Sequence, residues 1–347
     1  MVRTPQTVRP LKILMLSFYM RSCFLCIKVG KKLMIRDKSS HGRVTNVTPV
    51  SLLEVKVALP TKVIFGDQTV AKKLAPSELA QLAKVRLGEG TLGSLFKVVL
   101  DCGSTITMRM VREGLVDEAT LEYWINFFGA IRNTWLLPMH FSFWYGGEAF
   151  ILYEYLCLGS LEELLHGSEG IQFTPICWRA RKHIAVCAAK AVAFLHTQVT
   201  KNGEGLVCGV IKSSNVMVQL DFSACLSSYE TAYLVPAATI IRRNAGRIAP
   251  ELRHRKVFTQ KSDVYSFGIL LLELITGKKP AVTNMREYVW QNRKQEGLKG
   301  MYDKRMGEIQ KETMDEMLEI ARLCLGSNPR ERPAMDRVLQ MIQNLQD

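Results

Sequence analysis

Three glycines, Gly88, Gly90 and Gly93, fall in one short turn between two runs of strand-forming residues, VRLGEGTLGSLFKVVL. The turn DCGS and a third strand-like run, ITMRMV, come directly after it. A Gly-x-Gly-x-x-Gly spacing that opens a helix after a strand points to a dinucleotide site; between two strands it reads instead as a hairpin flap. Glycine suits such a flap because a backbone without Cβ can lie against a phosphate group. An ordinary glycine-rich hairpin gives the same spacing, so the motif acquires meaning only from its place among the other motifs of the chain.

The texture of the chain changes near residue 160. Upstream it is rich in strand patterns, with Val63–Gly66 and Phe150–Tyr155 as further short runs and helical spacing over 118–132. Ser77–Val85 reads as a helical turn with Ser77 as N-cap and Glu78 in its first turn. Beyond Ser160 the patterns are helical: Trp178–His196, Met314–Leu325 and Met335–Leu345. Tyr265–Thr276, YSFGILLLELIT, is so apolar that it predicts a helix buried on all sides. A strand-rich first lobe and a helix-rich second lobe predict a two-lobed α+β architecture.

Four further motifs occur in order: Lys212-Ser-Ser-Asn215, Ala249-Pro250-Glu251, Asp263-Val-Tyr-Ser-Phe-Gly268 and Arg332-Pro333. With the glycine flap they resemble the landmarks of a protein kinase, and coincidence over this span is negligible. The resemblance implies the two-lobed kinase fold, with a small β-rich lobe carrying one helix and a large helical lobe. It assigns Glu251 and Arg332 to a buried ion pair and Asp263 to a structural role at the start of the central helix. The runs LYEYLCLGSLEELLHG, IKSSNV and DVYSFGILLLELITGKKP resemble the intracellular domains of plant leucine-rich-repeat receptor-like kinases, over residues 62–346. In particular they are similar to those whose kinase domain is inactive. The resemblance does not reach the N-terminal residues, and the expectation is a chain lacking the extracellular repeat domain of such receptors. The expected organisation is a basic and apolar arm over 1–36, a juxtamembrane-like linker over 37–80 and the kinase-like domain over 81–346.

The same resemblance exposes what is altered. Phosphoryl transfer needs a lysine on the phosphates, a helix glutamate to hold it, an aspartate to orient the substrate hydroxyl and a metal-binding aspartate. At those positions stand Arg109, Trp124, Val210 and Ser228. Valine cannot accept a proton, serine is a poor magnesium ligand, and arginine differs from lysine in shape and reach. Glu122 lies two residues from Trp124, on another helix face. Glu230 offers a carboxylate beyond Ser228, but would need a shifted backbone to face a metal. The implied nucleotide positions are Leu87, Gly88, Gly90, Gly93, Leu95, Arg109, Tyr153 and Asn215, with Lys97 beside the flap. Thr107 and Leu95 add bulk over the adenine, and Tyr153 guards the back of the cleft. The expected function is a non-catalytic scaffold or allosteric partner that binds ATP weakly or not at all, with no magnesium. The alternative is a residual serine/threonine kinase that relies on Arg109, Glu230 and Asn215. Thr231, Thr239, Arg242 and Arg243 in the activation segment read as a solvated loop, and His166, His183 and His196 as structural residues without an evident acidic partner.

Charge adds a partner class. Residues 1–48 hold ten Lys/Arg and one acid, so +9 of the formal +14 lies in that arm. A basic arm beside a nearly neutral domain favours an anionic membrane surface. The arm lacks spaced ligands and a recognition-helix pattern, so no nucleic acid is expected. Residues 13–27 are apolar but broken by Arg21, and are short of the roughly 20 residues a membrane span requires. They read equally as an interfacial arm or a degraded membrane segment. The expected location is the cytoplasmic face of the plasma membrane, with the cytoplasm as alternative, and the expected partners are other receptor-like kinases or signalling proteins. Cys23 and Cys26 form a lone CxxC without a second pair, and the nine scattered cysteines read as reduced thiols.

Overall fold

The computed structural model describes residues 61–66, 75–167, 175–295, 301–307 and 311–346. The basic arm, the apolar stretch 13–27 and the Cys23/Cys26 pair lie outside them. Among the described residues no helix is long and apolar enough to cross a membrane, and all seven cysteines are free thiols.

The first lobe is a six-stranded antiparallel sheet. Its strands are β1 (Thr61–Phe65), β2 (Lys84–Glu89), β3 (Gly93–Val99), β4 (Thr105–Val111), β5 (Met139–Tyr145) and β6 (Glu148–Glu154), in the spatial order β1-β5-β6-β4-β3-β2. The β5–β6 hairpin turns through Gly146 and Gly147, both with positive φ (60° and 85°), the backbone that a two-residue hairpin loop demands. Two helices belong to this lobe, α1 (Pro76–Gln81) and α2 (Glu118–Ala130), at the two places where the sequence pattern is helical. Strand β1 and all of helix α1 except its last residue, Gln81, fall within the stretch 37–80. β1 pairs with β5, and Leu79 of α1 is buried with Val98, Met108, Phe141, Phe143, Phe150 and Leu152.

The expected cap of α1 is corrected. Ala75 occupies the N-cap position, Pro76 opens the helix and Ser77 lies inside its first turn. Proline, with its fixed φ and missing N–H, is well suited to that first helical position. The helix ends at Gln81, and Lys84 and Val85 already belong to β2. Asp117 caps α2 by accepting from the Thr120 amide at 2.9 Å.

The second lobe is helical: α3 (Leu161–His166), α4 (Trp178–Thr197), α5 (Thr231–Leu234), α6 (Ala237–Arg243), α7 (Leu252–Arg255), α8 (Gln260–Thr276), α9 (Met285–Gln295), α10 (Lys311–Cys324) and α11 (Met335–Gln343). A small ribbon of β7 (Val216–Val218) and β8 (Ala224–Leu226) completes it. As predicted, α8 is buried from Ser262 to Thr276. Thr259 and Ser262 form a reciprocal cap at its start, and Gly277 ends it in a left-handed conformation at φ 62°. Three charged groups meet beneath its C-terminal end. Buried Arg181 donates to the carbonyls of Ile176 and Leu274 at 2.9 and 2.7 Å, and to Asp303 at 2.6 Å. Despite partial burial, hydrogen bonds from Arg305 and Arg181 bring the Asp303 carboxyl down to about 2.

Candidate functional site

The cleft begins with strand register. Leu95 of β3 lies opposite Arg109 of β4, which lies opposite Ile151 of β6; Lys97 lies opposite Thr107, which lies opposite Tyr153. Alternation along a strand therefore places Leu95, Lys97, Thr107, Arg109 and Tyr153 on one face of the sheet. Leu87, on the outer strand, is 46% exposed. Lys97 turns its ammonium over the Tyr155 ring, 4.7 Å from the centroid, so it stands at the strand end rather than at the glycine turn.

The three flap glycines differ in what surrounds them. A Cβ on Gly88 would meet nothing within 4 Å, whereas one on Gly93 would lie 1.9 Å from the Met110 carbonyl oxygen. Between them, Leu92 is fully buried in the main core and its carbonyl accepts from the Arg112 amide at 2.9 Å. The turn closes on itself through the Gly90 amide and Gly93 carbonyl at 2.9 Å. Arg112 also donates to the Glu89 carboxylate, which accepts from Ser94 at 2.5 Å. Arg243 of α6 donates to the Gly90 carbonyl at 3.2 Å. The flap is thus folded inward, with its tip in the core and its turn tied to the activation segment.

Arg109 is buried and donates from Nη2 to Ser228 Oγ at 2.7 Å. Its guanidinium also stands over the Tyr153 ring, 5.8 Å from the centroid. The Tyr153 hydroxyl donates to Glu230 Oε1 at 2.8 Å. Burial, and after it the Glu230 charge, pushes the Tyr153 phenol well above its ordinary range. Glu230, fully buried, therefore faces the back of the cleft.

Trp124 makes no equivalent of a lysine–glutamate pair. It stacks on Phe128 and lies 4.2 Å, centroid to centroid, from Tyr233 of α5. The Tyr233 hydroxyl accepts from the Val207 amide at 2.9 Å, so the tryptophan joins α2 to the activation segment through aromatic contact. Glu122 points elsewhere, to Lys62 at 2.5 Å.

The loop before β7 is organised by Asp263. Its carboxylate accepts from the Cys208 and Gly209 amides at 2.7 and 2.9 Å and meets His196 at 2.9 Å. Gly209 has φ 83°, and a Cβ there would come within 2.8 Å of Ala232. Val210 is 7% exposed and belongs to the core. The Asn215 carbonyl accepts from the Ser227 amide at 2.8 Å, which joins β7 to the segment carrying Ser228. The Glu251–Arg332 pair is bidentate at 2.6 and 2.8 Å, with the arginine side chain fully buried.

Two expectations need correction here. His166 and His196 do have acidic partners, Glu273 and Asp263, each at 2.9 Å; both acids come from α8, far away in sequence. Thr231 and Thr239 lie within α5 and α6 rather than on an open loop. Sequence reasoning also missed the bond from Arg243 to Gly90, whose partners are 153 residues apart, and the Glu273 cluster, in which Ser213 donates at 2.7 Å and Arg247 approaches to 3.6 Å. The one available signal for the second was a glutamate inside an otherwise apolar helix.

The donor set fits magnesium poorly: Ser228 is neutral and taken by Arg109, and Glu230 is held by Tyr153 through Oε1, while its Oε2 is buried without a hydrogen-bond partner among the described residues.

Comparisons with known proteins identify the fold and the family. The family model described as protein tyrosine and serine/threonine kinase matches residues 82–342. The chain is 30% identical to the probable inactive receptor kinase RLK902 of Arabidopsis thaliana over 91% of this chain and 50% of the relative. It is 32% identical to the probable inactive receptor kinase At1g48480 of the same plant, over 82% and 44%. The chain thus spans about half the length of these relatives. Among solved structures, the kinase domain of maize SIRK1 bound to AMP-PNP superposes with a TM-score of 0.69 at 26% identity, covering 82% of this chain and 99% of that one. The pseudokinase domain of BIR2, an immune regulator of the RLK/Pelle family, gives 0.62 at 25% identity, covering 75% and 80%. The fold, the order of the landmarks and these relatives converge on one conclusion: the chain belongs to the protein kinase family, in its plant receptor-like branch, as a kinase-like domain of the pseudokinase kind.

Proposed function

We propose that this domain is a non-catalytic signalling module, a scaffold or allosteric partner for other receptor-like kinases, held at the cytoplasmic face of the plasma membrane by its basic arm. The observation that carries the reading is the Arg109–Ser228 bond. It joins the positions that the resemblance assigns to the phosphate lysine and the metal aspartate, and leaves no carboxylate there for a metal. Buried Val210 supplies no base at the position that would orient a substrate hydroxyl. The inward flap and the Tyr153–Glu230 bond narrow the nucleotide site, so ATP binds weakly and without metal dependence. A phosphate-transfer assay with magnesium or manganese, run beside a thermal-shift titration with ATP, tests this. We expect no transfer, and a shift with ATP that is small and the same with or without magnesium. Turnover abolished by Arg109→Ala would overturn it in favour of a residual kinase.

A further inference from the structure

Three metal-ligating side chains converge at the start of the altered catalytic loop, each from a different stretch of the chain. His196 stands near the end of α4, Cys208 opens the loop before β7, and Asp263 lies in the first turn of α8. One ligand atom from each lies within 4.8 Å of the other two, and no other trio of His, Cys, Asp or Glu among the described residues meets this closely. Cys208 and Asp263 are buried, and the His196 side chain is 8% exposed.

The carboxylate is fixed by main-chain donors. Its Oδ1 accepts from the Gly209 amide at 2.9 Å and its Oδ2 from the Cys208 amide at 2.7 Å, while Oδ2 also meets His196 Nε2 at 2.9 Å. Asp263 therefore holds the loop through backbone, whatever side chain residue 208 carries. A thiol in that place adds a soft donor beside an imidazole and a carboxylate, which is a donor set that zinc accepts. Tetrahedral zinc, with bonds of about 2.0–2.3 Å, sets its ligand atoms roughly 3.3–3.8 Å apart, so closing the trio takes side-chain movements of about 1 Å. One thiolate, one carboxylate and a neutral imidazole leave zinc(II) with no net charge, the form that burial penalises least. Copper(I) would leave a buried negative charge, and magnesium and calcium demand oxygen ligands.

We propose that His196, Cys208 and Asp263 form a zinc site that ties α4, the altered catalytic loop and the central helix together. Zinc replaces the proton shared between His196 and Asp263 and bonds the Cys208 sulfur. With the imidazole neutral, the thiol releases one proton to solvent and the ring proton moves from Nε2 to Nδ1; no oxidant or reductant takes part. Burial, and after it the Asp263 charge, raises the thiol well above its ordinary range, so this proton opposes binding and uptake strengthens as pH rises. Water supplies the fourth ligand from the edge where His196 is exposed. Val207, next to Cys208, donates to the Tyr233 hydroxyl at 2.9 Å, and Tyr233 packs on Trp124. Zinc thus braces the loop that meets helix α2 of the first lobe, whether or not the domain transfers phosphate.

The test uses the full chain carrying Cys23→Ser and Cys26→Ser, so that this pair supplies no thiolate. The protein is stripped with EDTA, freed of chelator and titrated with cobalt(II), then with zinc. One equivalent of cobalt is expected to give thiolate-to-cobalt charge-transfer absorption, which zinc abolishes. Zinc should also raise Tm saturably, as a ligand of the native state does, and magnesium should not. Cys208→Ser should remove the absorption and weaken zinc binding at least tenfold. Cys102→Ser, which changes an exposed thiol elsewhere, should alter neither. Absence of the band, its survival in Cys208→Ser, or an equal rise in Tm with magnesium would overturn the site. If Cys208→Ser does not melt cooperatively, X-ray absorption of the zinc-loaded parent decides. One sulfur at about 2.3 Å beside nitrogen and oxygen at about 2.0–2.2 Å is expected; a shell with no sulfur, or with two or more, overturns the assignment.

Discussion

Arg109 of β4 donates a hydrogen bond to Ser228 at 2.7 Å, across 119 residues and between the two lobes. Its Nε is already without an acceptor, so the serine is a principal anchor for a buried cation. Ser228→Ala should cost about 1–3 kcal/mol, the penalty for leaving a buried donor unsatisfied. Ser228→Asp should do the opposite: the left-handed backbone there (φ 60°) tolerates aspartate, and a charge-assisted bond replaces a neutral one. Urea unfolding of the three proteins checks the order, and a Ser228→Ala chain as stable as wild type would refute it.

The flap glycines should separate sharply under substitution. Gly88→Ala places its methyl in open space and should leave stability within about 0.5 kcal/mol. Gly93→Ala drives a methyl into the Met110 carbonyl, a backbone atom of the neighbouring strand, and should cost about 2 kcal/mol or more. Chemical denaturation resolves the difference, and equal effects at both positions would contradict the inward flap.

That contrast shows what the sequence could and could not reveal. Glycine spacing identifies a flap but not its position, because Leu92 is buried by residues from elsewhere in the fold. The central helix was legible because a helix apolar on every face can only be internal, and the Glu251–Arg332 pair because its motifs lie in family order. The acidic partners of His166 and His196 were not legible, since contact over 107 and 67 residues leaves no local pattern. The cap of α1 was misassigned because Ser77 and Pro76 both suit a helix start, and the proline's fixed φ decides the register. In the cleft, the altered residues could be found from sequence, but their new partners could not: Ser228 for Arg109, and Tyr233 for Trp124.

Glu251 should be among the costliest single positions in the large lobe. Its partner Arg332 is fully buried and also donates to the Gly326 and Lys261 carbonyls at 2.8 and 2.9 Å. Glu251→Gln would strand that charge, and removing one member of such a pair costs about 3–5 kcal/mol. The hydrogen bond and charge of Arg332 outweigh desolvation and lower the glutamate's pKa, so its contribution is present at neutral pH and disappears as pH falls through the folded-state value. Glu251→Gln should accordingly flatten the acid limb of the stability profile; an unchanged limb would show that the pair contributes nothing.

Lys212 should make the domain more stable in alkali, the reverse of a lysine that gains an acidic partner. Its folded-state pKa of about 8 lies below the ordinary 10.5, with burial as the main cause and Arg247 the next. Between those values the unfolded chain binds the proton and the folded chain has released it, so stability rises with pH across that window. Below pH 8 both states carry the charge, and the folded state bears its cost in full. Lys212→Met should therefore stabilise the domain at pH 7 by about 2 kcal/mol, with the shift read as free energy and discounted for residual hydration. The variant should also lose the rise between pH 8 and pH 10. Urea titrations from pH 6 to pH 10 measure both effects. A lysine variant no more stable than wild type at pH 7 would mean that the ammonium already has its counter-charge in the folded state.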